Sequence, residues 1–273
     1  MGEPRLSELV ESDGDKLLEE INHELGEVHN SIVPLVLSLG IALTLAGLLV
    51  WPFLIVGLAL VVWSIFSWVK EDVTMWKHRE NPAKDEWGHA SWAMIWIIVT
   101  ETIVFASFFA FWFWAKWHTL YWEDAIGGSW PAEGIHHNMT LVTVNTVILL
   151  SSGYTSHLAL HALKDGNSNK SKKMIITTIL LGTIFLGVQL YEYMNAGFLW
   201  GDHAYGTAFF SLTGLHGLHV LVGVICLSVA GVLVDKEYYS DERHDSYQAI
   251  TWYWHFVDVV WVLLYFIVYL EVI

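Results

Sequence analysis

Apolar residues fill long runs along the chain, and shorter polar stretches separate these runs. Each run reaches or approaches the ~20 residues that a helix needs to cross the hydrocarbon of a bilayer. The pattern predicts an all-α polytopic membrane protein with seven transmembrane helices. The predicted spans are residues 32–50, 52–69, 87–117, 138–163, 173–199, 204–234 and 247–271.

Basic residues are distributed unequally between the two sides of this predicted topology. When the links between spans alternate sides, twelve of the 13 Lys and Arg residues fall on one side, and only Lys116 falls on the other. Because cytoplasmic loops carry the excess of Lys and Arg, the N-terminus is predicted inside and the C-terminus outside. A missed or extra span would disrupt this alternation, so the bias also supports seven spans.

The polar stretch "KEDVTMWKHRENPAKDE", residues 70–86, is the longest link between spans on the inner side. It predicts a division into a two-helix transmembrane unit, residues 32–69, and a five-helix transmembrane bundle, residues 87–273. The preceding residues 1–31 are acidic and lack the basic flank and apolar core of a signal peptide. We therefore expect an acidic cytoplasmic tail, a two-helix unit, a cytoplasmic linker and a five-helix bundle.

The composition fits a membrane protein and narrows the classes of function. Hydrophobic residues make up 55% of the 273 residues, and the formal net charge is −15. Both a high-salt habitat and a basic partner are consistent with this charge, whereas nucleic-acid binding is not expected. Cys226 is the single cysteine, so the chain forms no intrachain disulfide and no multi-thiolate metal site.

Several ionisable residues fall inside the predicted spans, where such groups are costly and often functional. At a rise of ~1.5 Å per residue from the predicted inner helix ends, Glu101 and His219 lie ~21 Å and ~22 Å deep. We therefore expect Glu101 to face the sixth span and to share a hydrogen-bond network with His216 or His219. The ionisable residues at membrane depth are Glu101, His157, His161, Glu192, His216, His219, His255 and Asp258.

Each of these residues also has a purely structural interpretation. His216 and His219 are three residues apart on one helix, a spacing that suits neutral packing histidines better than metal ligands. His161 can cap carbonyls or meet lipid head groups, and Asp258 can pair with His255 or with another subunit. A mid-membrane Glu101 can be a protonated hydrogen-bonding group or a proton carrier, and the sequence leaves both open.

The histidines do not form a recognisable metal-binding pattern. His216 and His219 lie on the same helix and cannot hold one haem iron from opposite sides. The Glu-x-x-His pairs of di-iron proteins occur here only outside the spans, and the zinc and copper signatures do not occur. The sequence therefore predicts no metal ligands and no catalytic residues in this chain.

The chain resembles subunit III of the haem-copper oxidases, the cytochrome c oxidase family, from about residue 34 to the C-terminus. Many ordered motifs carry the resemblance. They are "WVKEDV" (68–73), "TETIVFASFFAFWF" (100–113), "GGSWPAEGIH" (127–136), "NTVILLSSG" (145–153), "HALKDG" (161–166), "LGVQLYEY" (186–193), "YGTAFFSLTGLHGLHVLVG" (205–223) and "WYWHFVDVVW" (252–261).

The resemblance implies a subunit without haem or copper of its own. Such a subunit packs on the catalytic subunit I, whose haem-copper centre reduces oxygen to water and pumps protons; a contact with subunit II is also expected. The family's cleft between the two-helix and five-helix parts implies bound phospholipids. A further implication is support of proton uptake and of lasting turnover.

The resemblance also assigns expectations to individual residues. Glu101 matches the family's buried carboxylate in the third span, and we expect it to form a proton-related polar network with His216, His219, His255 and Asp258. Contacts with lipid or with neighbouring subunits are expected at Lys70, Asp72, His161, Glu192, Arg243 and His244.

This sequence departs from the family's pattern at three places. Lys70 stands where the family has Arg, which weakens a bidentate phosphate contact. His157 stands where an uncharged residue is expected, and residues 1–31 lie outside the match.

Other functions remain alternatives at this point. They are subunit III of a quinol oxidase, an accessory relative in nitric oxide reduction, an independent haem-binding redox protein and a free-standing proton channel. The presence of the first two spans favours an oxidase fed by cytochrome c or by a copper protein over a quinol oxidase. For location, the plasma membrane of a prokaryote is expected in preference to the mitochondrial inner membrane.

Overall fold

The computed structural model describes residues 31–47, 50–77, 89–121, 130, 131, 135, 137–241 and 243–270. The acidic tail 1–30 and residues 78–86 of the predicted linker lie outside this part. The described secondary structure is helical throughout. Its helices are α1 (Val33–Ala46), α2 (Trp51–Lys77), α3 (His89–Tyr121), α4 (Met139–Lys164), α5 (Ser168–Met194), α6 (Ala204–Asp235) and α7 (Asp245–Leu264), followed by a π-helical turn at Tyr265–Tyr269.

Five of the helical segments are long and apolar enough to cross a membrane. They are Trp51–Glu71, Ala90–Thr119, Ser168–Met194, Ala204–Asp235 and Asp245–Tyr269. The apolar segment Val33–Thr44 is shorter. Helix α4 has 26 residues, but it turns polar residues such as Asn145, Ser152 and Ser156 into the protein interior. A membrane protein with several spanning helices is therefore supported, while the count of seven spans and the orientation of the termini stay predictions.

The chain divides into two compact units, residues 1–80 and 81–273. In the first unit α1 packs on α2. The close approach occurs at Gly57, where a Cβ would lie 2.3 Å from the backbone nitrogen of Thr44. Ser31 also donates a hydrogen bond of 2.6 Å to Glu71.

The second unit is a helical bundle in which α4 packs on α5 and α7, and α6 packs on α3, α5 and α7. A short turn joins α4 to α5. Gly166 has a φ of 72°, the left-handed conformation that suits glycine after a helix end. Asn167 then caps α5 by accepting a hydrogen bond from the amide of Lys170.

The helix boundaries differ clearly from two predicted spans. Helix α2 continues to Lys77, past the predicted end of its span at residue 69 and into the predicted linker. Helix α5 begins at Ser168 and ends at Met194, whereas residues 173–199 were expected. The polar segment that begins at Ser168 continues the helix beyond the apolar run because Asn167 caps it. The left-handed Gly197 follows the end of the helix.

Trp254 of α7 occupies the centre of the bundle, and its ring is fully buried. It lies against glycines of two other helices, Gly182 of α5 and Gly223 of α6, where a Cβ would come within 2.8 Å and 2.5 Å of the ring. Its indole nitrogen donates a hydrogen bond of 3.1 Å to Ser152 of α4. One side chain therefore fixes four helices relative to one another.

Candidate functional site

Glu101 of α3 and His219 of α6 contact each other where these two helices meet. The distance from Glu101 Oε2 to His219 Nε2 is 3.0 Å. The contact expected from their equal depth is therefore present, and it involves His219 rather than His216. The side chain of Glu101 remains 31% exposed and that of His219 is 12% exposed. The pair consequently lies at the surface of this chain, within reach of a neighbour.

The second nitrogen of His219 determines how protons are arranged in this pair. Nδ1 lies 2.8 Å from the carbonyl oxygen of Leu215, so Nδ1 carries the hydrogen and donates it. In a neutral ring Nε2 is then an acceptor, and Glu101 must be protonated to bind it. If the carboxyl ionises, its proton moves to Nε2 and the ring becomes a cation. A proton shared between the two groups would leave the pair neutral in either arrangement.

Aromatic side chains surround the pair. The ring of Phe105 lies 4.9 Å from that of His219. Tyr253 of α7 donates a hydrogen bond of 3.3 Å to the carbonyl oxygen of His219. This apolar surrounding disfavours separated charges, so it favours a shared proton over an ion pair open to water.

His216 occupies a different environment from His219. It is fully buried, and its Nε2 lies 3.2 Å from the carbonyl oxygen of Val257. Its ring lies 5.0 Å from Trp261 and 5.8 Å from Phe185. The two histidines of the α6 motif thus face different neighbours, and His216 links α6 to α7 within the core.

Asp258 and His255 form the pair within α7 that their spacing predicted. His255 Nδ1 lies 3.5 Å from Asp258 Oδ2. The same carboxylate oxygen lies against Gly153 of α4, where a Cβ would come within 2.1 Å of it. His157 of α4 lies nearby, with ring centroids 6.4 Å from His255 and 4.5 Å from His161. A proton-related network that joins these residues to the Glu101 pair stays a prediction.

Glu192 lies in a buried network that sequence analysis did not identify. Tyr269 donates a hydrogen bond of 3.0 Å to Glu192 Oε2, and Gln189 donates a longer one of 3.3 Å to the same oxygen. His137 Nδ1 lies 3.4 Å from Glu192 Oε1, and its Nε2 lies 2.7 Å from the hydroxyl of Tyr205. The network joins the ends of α4, α5, α6 and α7 that the charge pattern places outside. A carboxylate that is only 10% exposed needs hydrogen-bond partners. The signal in the sequence was the position of Glu192 inside a predicted span, where an ionisable group is costly.

The remaining expected contact residues are Lys70, Asp72, Arg243 and His244. Lys70 is exposed on α2, and Asp72 lies in α2 with its side chain outside the described part. Arg243 and Ser240 exchange two backbone hydrogen bonds in the turn before α7. His244 is the residue that precedes α7, and its side chain makes no capping hydrogen bond.

Asp245 connects the starts of two helices, a role that sequence analysis missed. Its carboxylate accepts hydrogen bonds from the amide of Ala90 and from the hydroxyl of Ser91 at the beginning of α3. An acidic group at a helix N-terminus satisfies the free amides there. The feature of the sequence that indicates this role is an aspartate at the start of the last span.

Among the residues that the structure describes, no three His, Cys, Asp or Glu side chains are grouped so that they could hold a metal ion.

Comparison with known proteins gives a consistent match over nearly the whole chain. The family model "Cytochrome c oxidase subunit III" matches residues 24–272. "Cytochrome c oxidase subunit 3" of Lycodon semicarinatus is 34% identical over 91% of this chain and 98% of the relative. The protein of the same name from Drosophila melanogaster is 34% identical over 91% of this chain and 97% of the relative. The protein of the same name from Gazella cuvieri is 35% identical over 90% of this chain and 97% of the relative.

Proposed function

The chain belongs to the cytochrome c oxidase subunit III family, and we propose that it serves as subunit III of a haem-copper terminal oxidase. In this role it packs on the catalytic subunit I and contacts subunit II. It carries no redox centre, and it supports proton uptake and lasting turnover while the partner reduces oxygen to water. The family match over residues 24–272 is the observation that carries the proposal.

The proposal of a subunit without its own haem or copper is supported by how the α6 histidines are used. Both ring nitrogens of His219 face protein groups, the Glu101 carboxyl and the Leu215 carbonyl. His216 uses Nε2 on the Val257 carbonyl, and its Nδ1 is buried. Axial haem ligation would require His219 to break one of its two contacts, and the remaining nitrogen of His216 is buried inside the bundle.

The proposed part in proton handling is supported by the shared proton between Glu101 and His219. A group that supports proton uptake must hold a proton and be able to release it. The pair holds one proton in two arrangements of equal net charge, so a transfer within it leaves no unpaired charge at membrane depth. Its partial exposure makes it accessible from the neighbouring subunit.

Phospholipid binding is proposed at basic residues near the predicted inner helix ends. Lys70, His161 and Arg243 place cationic or hydrogen-bonding groups at the level of lipid phosphates. The assignment of Asp72, Glu192 and His244 as lipid or subunit contacts also remains a proposal. Glu192 has a competing structural role, because Tyr269 and Gln189 already use its carboxylate.

The orientation and the membrane are further parts of the proposal. The bias of Lys and Arg supports an N-terminus inside and a C-terminus outside. A prokaryotic plasma membrane remains the proposed location, although the relatives named above come from animals. Detection of the tagged chain in fractionated membranes of its source decides between the plasma membrane and the mitochondrial inner membrane.

Purification of the tagged full-length chain from its native membrane tests the function. We expect a larger haem protein to co-purify, and the complex to consume oxygen with reduced cytochrome c as donor. A complex that accepts only quinol, or that reduces nitric oxide, would support one of the alternative relatives. A stoichiometric haem absorption band in the isolated chain, or proton transport by that chain alone in liposomes, would contradict the proposal.

A further inference from the structure

His137 and Glu192 face each other at the helix ends that the charge pattern places outside. Nδ1 of His137 lies 3.4 Å from Oε1 of Glu192. His137 lies just before the start of α4, and Glu192 lies in the last turn of α5. Their side chains are 13% and 10% exposed, so the pair is mostly buried and reaches the surface at its edge.

Both groups also have further hydrogen-bond partners. Nε2 of His137 lies 2.7 Å from the hydroxyl of Tyr205 at the start of α6. Oε2 of Glu192 accepts hydrogen bonds from Tyr269 at 3.0 Å and from Gln189 at 3.3 Å. Oε1 is buried and makes no shorter contact with a donor within the described part of the chain. Nδ1 of His137 is therefore the group that is placed to bind it.

The contact between Nδ1 and Oε1 needs a hydrogen, because two atoms that both present lone pairs repel each other. If the hydrogen sits on Oε1 of Glu192, the ring of His137 is neutral and its Nε2–H donates to Tyr205. If it sits on Nδ1 and Tyr205 donates to Nε2, the ring is also neutral and the carboxylate charge is unbalanced. If both ring nitrogens carry a hydrogen, the imidazolium balances the carboxylate. Two of the three arrangements are neutral.

The other titratable groups near the pair have partners of their own. Tyr193, the neighbour of Glu192 in the chain, donates its hydroxyl to Thr213 at 2.8 Å. His203 has its ring 6.2 Å from that of Tyr205, and its Nδ1 accepts from a backbone amide at 2.7 Å. In the part of the chain that the structure describes, no Lys or Arg forms an ion pair with Glu192. No other cation there balances the carboxylate.

Apolar surroundings favour the two neutral arrangements. The ring of Phe209 stacks on that of His137 at 5.0 Å. A buried carboxylate without a balancing charge is costly in such a place, whereas one additional proton on the pair removes the imbalance. Among the described residues, no third His, Cys, Asp or Glu joins the pair in a metal-binding group, so the donor set suits a proton.

We propose that His137 and Glu192 form a proton-binding site that exchanges one proton with water at the outer surface. The bound proton lies on Nδ1 or Oε1, and the pair is then neutral. On release the proton passes to water and leaves one negative charge, which the hydrogen bonds from Tyr269 and Gln189 stabilise. The site goes beyond the proposed function, because it uses other residues than Glu101 and His219 and needs no partner subunit.

Magnetic resonance of the full-length chain in lipid nanodiscs tests the site. The ring nitrogens of histidine and the carboxyl carbons of glutamate are isotope-labelled, and the pH is varied over the range in which the chain stays folded. Magnetisation transfer between ring and carboxyl identifies the His–Glu pairs, and Glu192→Gln removes the signal of this pair. We expect the His137 and Glu192 signals to change together in one step, because groups that share a proton titrate as a unit.

Two variants complete the test. Glu192→Gln keeps a hydrogen-bonding side chain at the position, and the pH at which the His137 signal changes should shift because the shared proton is lost. Asp202→Asn is the matched control, since the exposed Asp202 carboxylate accepts from the Leu199 amide at 2.7 Å. It should leave the common step of His137 and Glu192 unchanged.

Three results would overturn the proposal. They are separate steps for the His137 and Glu192 signals, an unchanged His137 step in Glu192→Gln, and the absence of any step while the chain is folded. The last result would make the pair a fixed structural contact. Because the chain is measured alone, none of these results depends on whether a haem protein co-purifies with it.

Discussion

Glu101 and His219 join α3 to α6 through a direct contact between a carboxyl oxygen and a ring nitrogen. The carboxyl oxygen and the ring nitrogen are 3.0 Å apart, and the other ring nitrogen donates to the Leu215 carbonyl. Because the second hydrogen bond fixes the tautomer, the carboxyl and the ring cannot both lack the shared proton without leaving a charge in an apolar surrounding.

Glu101→Gln separates packing from proton handling. The amide N–H of glutamine can donate to His219 Nε2, so the contact is retained while the exchangeable proton is lost. We expect assembly and thermal stability of the complex to stay unchanged. If the pair carries protons, uptake during turnover should slow by up to about a hundredfold, the lower end of what a positioned proton-transfer group contributes. Stopped-flow measurement of proton uptake checks this.

The matched variant for that experiment is His219→Phe. It leaves the Glu101 carboxyl without its partner and should lower the free energy of unfolding by about 1–3 kcal/mol. Unchanged proton uptake and an unchanged inactivation rate in Glu101→Gln would make Glu101 a packing residue.

The contact of Glu101 with the sixth span was predictable because a helix has a fixed rise, so depth follows from the sequence. The choice between His216 and His219 was not predictable. Positions three apart differ by only about 60° around a helix, and the rotation of α6 depends on its packing against α3 and α7.

The network around Glu192 was missed for a related reason. Its members come from helix ends far apart in sequence, and His137 lies where the sequence indicates a loop. Tyr205 and Tyr269 at the ends of apolar runs are typical of residues at the membrane interface. Their hydroxyls turn inward because His137 and Glu192 occupy the interior.

Tyr269→Phe is expected to destabilise the Glu192 network. It removes the hydroxyl that donates to Glu192 Oε2. The side-chain donor that remains for this buried oxygen is Gln189, at the longer distance of 3.3 Å. The free energy of unfolding should fall by about 1–3 kcal/mol. Denaturation of the purified protein in detergent gives the value.

Tyr265→Phe is the control for this prediction. Its hydroxyl bonds Thr143 at an exposed position, 2.8 Å away. The loss should be smaller, about 0.5–1.5 kcal/mol, because no buried carboxyl group loses a partner. Equal losses in the free energy of unfolding would show that the hydrogen bond of Tyr269 stabilises the protein no more than that of Tyr265.

Gly223→Ala is expected to disturb the centre of the bundle. The new Cβ would lie 2.5 Å from the Trp254 ring, which is buried between helices and cannot withdraw without breaking its hydrogen bond to Ser152. Overpacking of this kind costs about 1–3 kcal/mol. Gly217→Ala on the same helix adds a methyl group where nothing lies within 4 Å. It should leave stability unchanged or raise it, and thermal unfolding of the two variants side by side makes the comparison.

Gly153→Ala tests whether the close approach of α4 to Asp258 positions the His255 pair. A Cβ at 153 would meet Asp258 Oδ2 at 2.1 Å, so the carboxylate must move or the helices must separate. We expect a loss of about 1–3 kcal/mol in the free energy of unfolding. Gly187→Ala of α5, with nothing within 4 Å, is the neutral control.

A double-mutant cycle shows that the carboxylate is the group displaced. In the Asp258→Ala background the added methyl group has room, so Gly153→Ala should cost less than it does alone. The coupling should be about 0.5–3 kcal/mol, the range for residues in direct contact. Additive losses would mean that Gly153 is needed for the backbone of α4 and not for Asp258. In that case the orientation of His255 would depend on α7 alone.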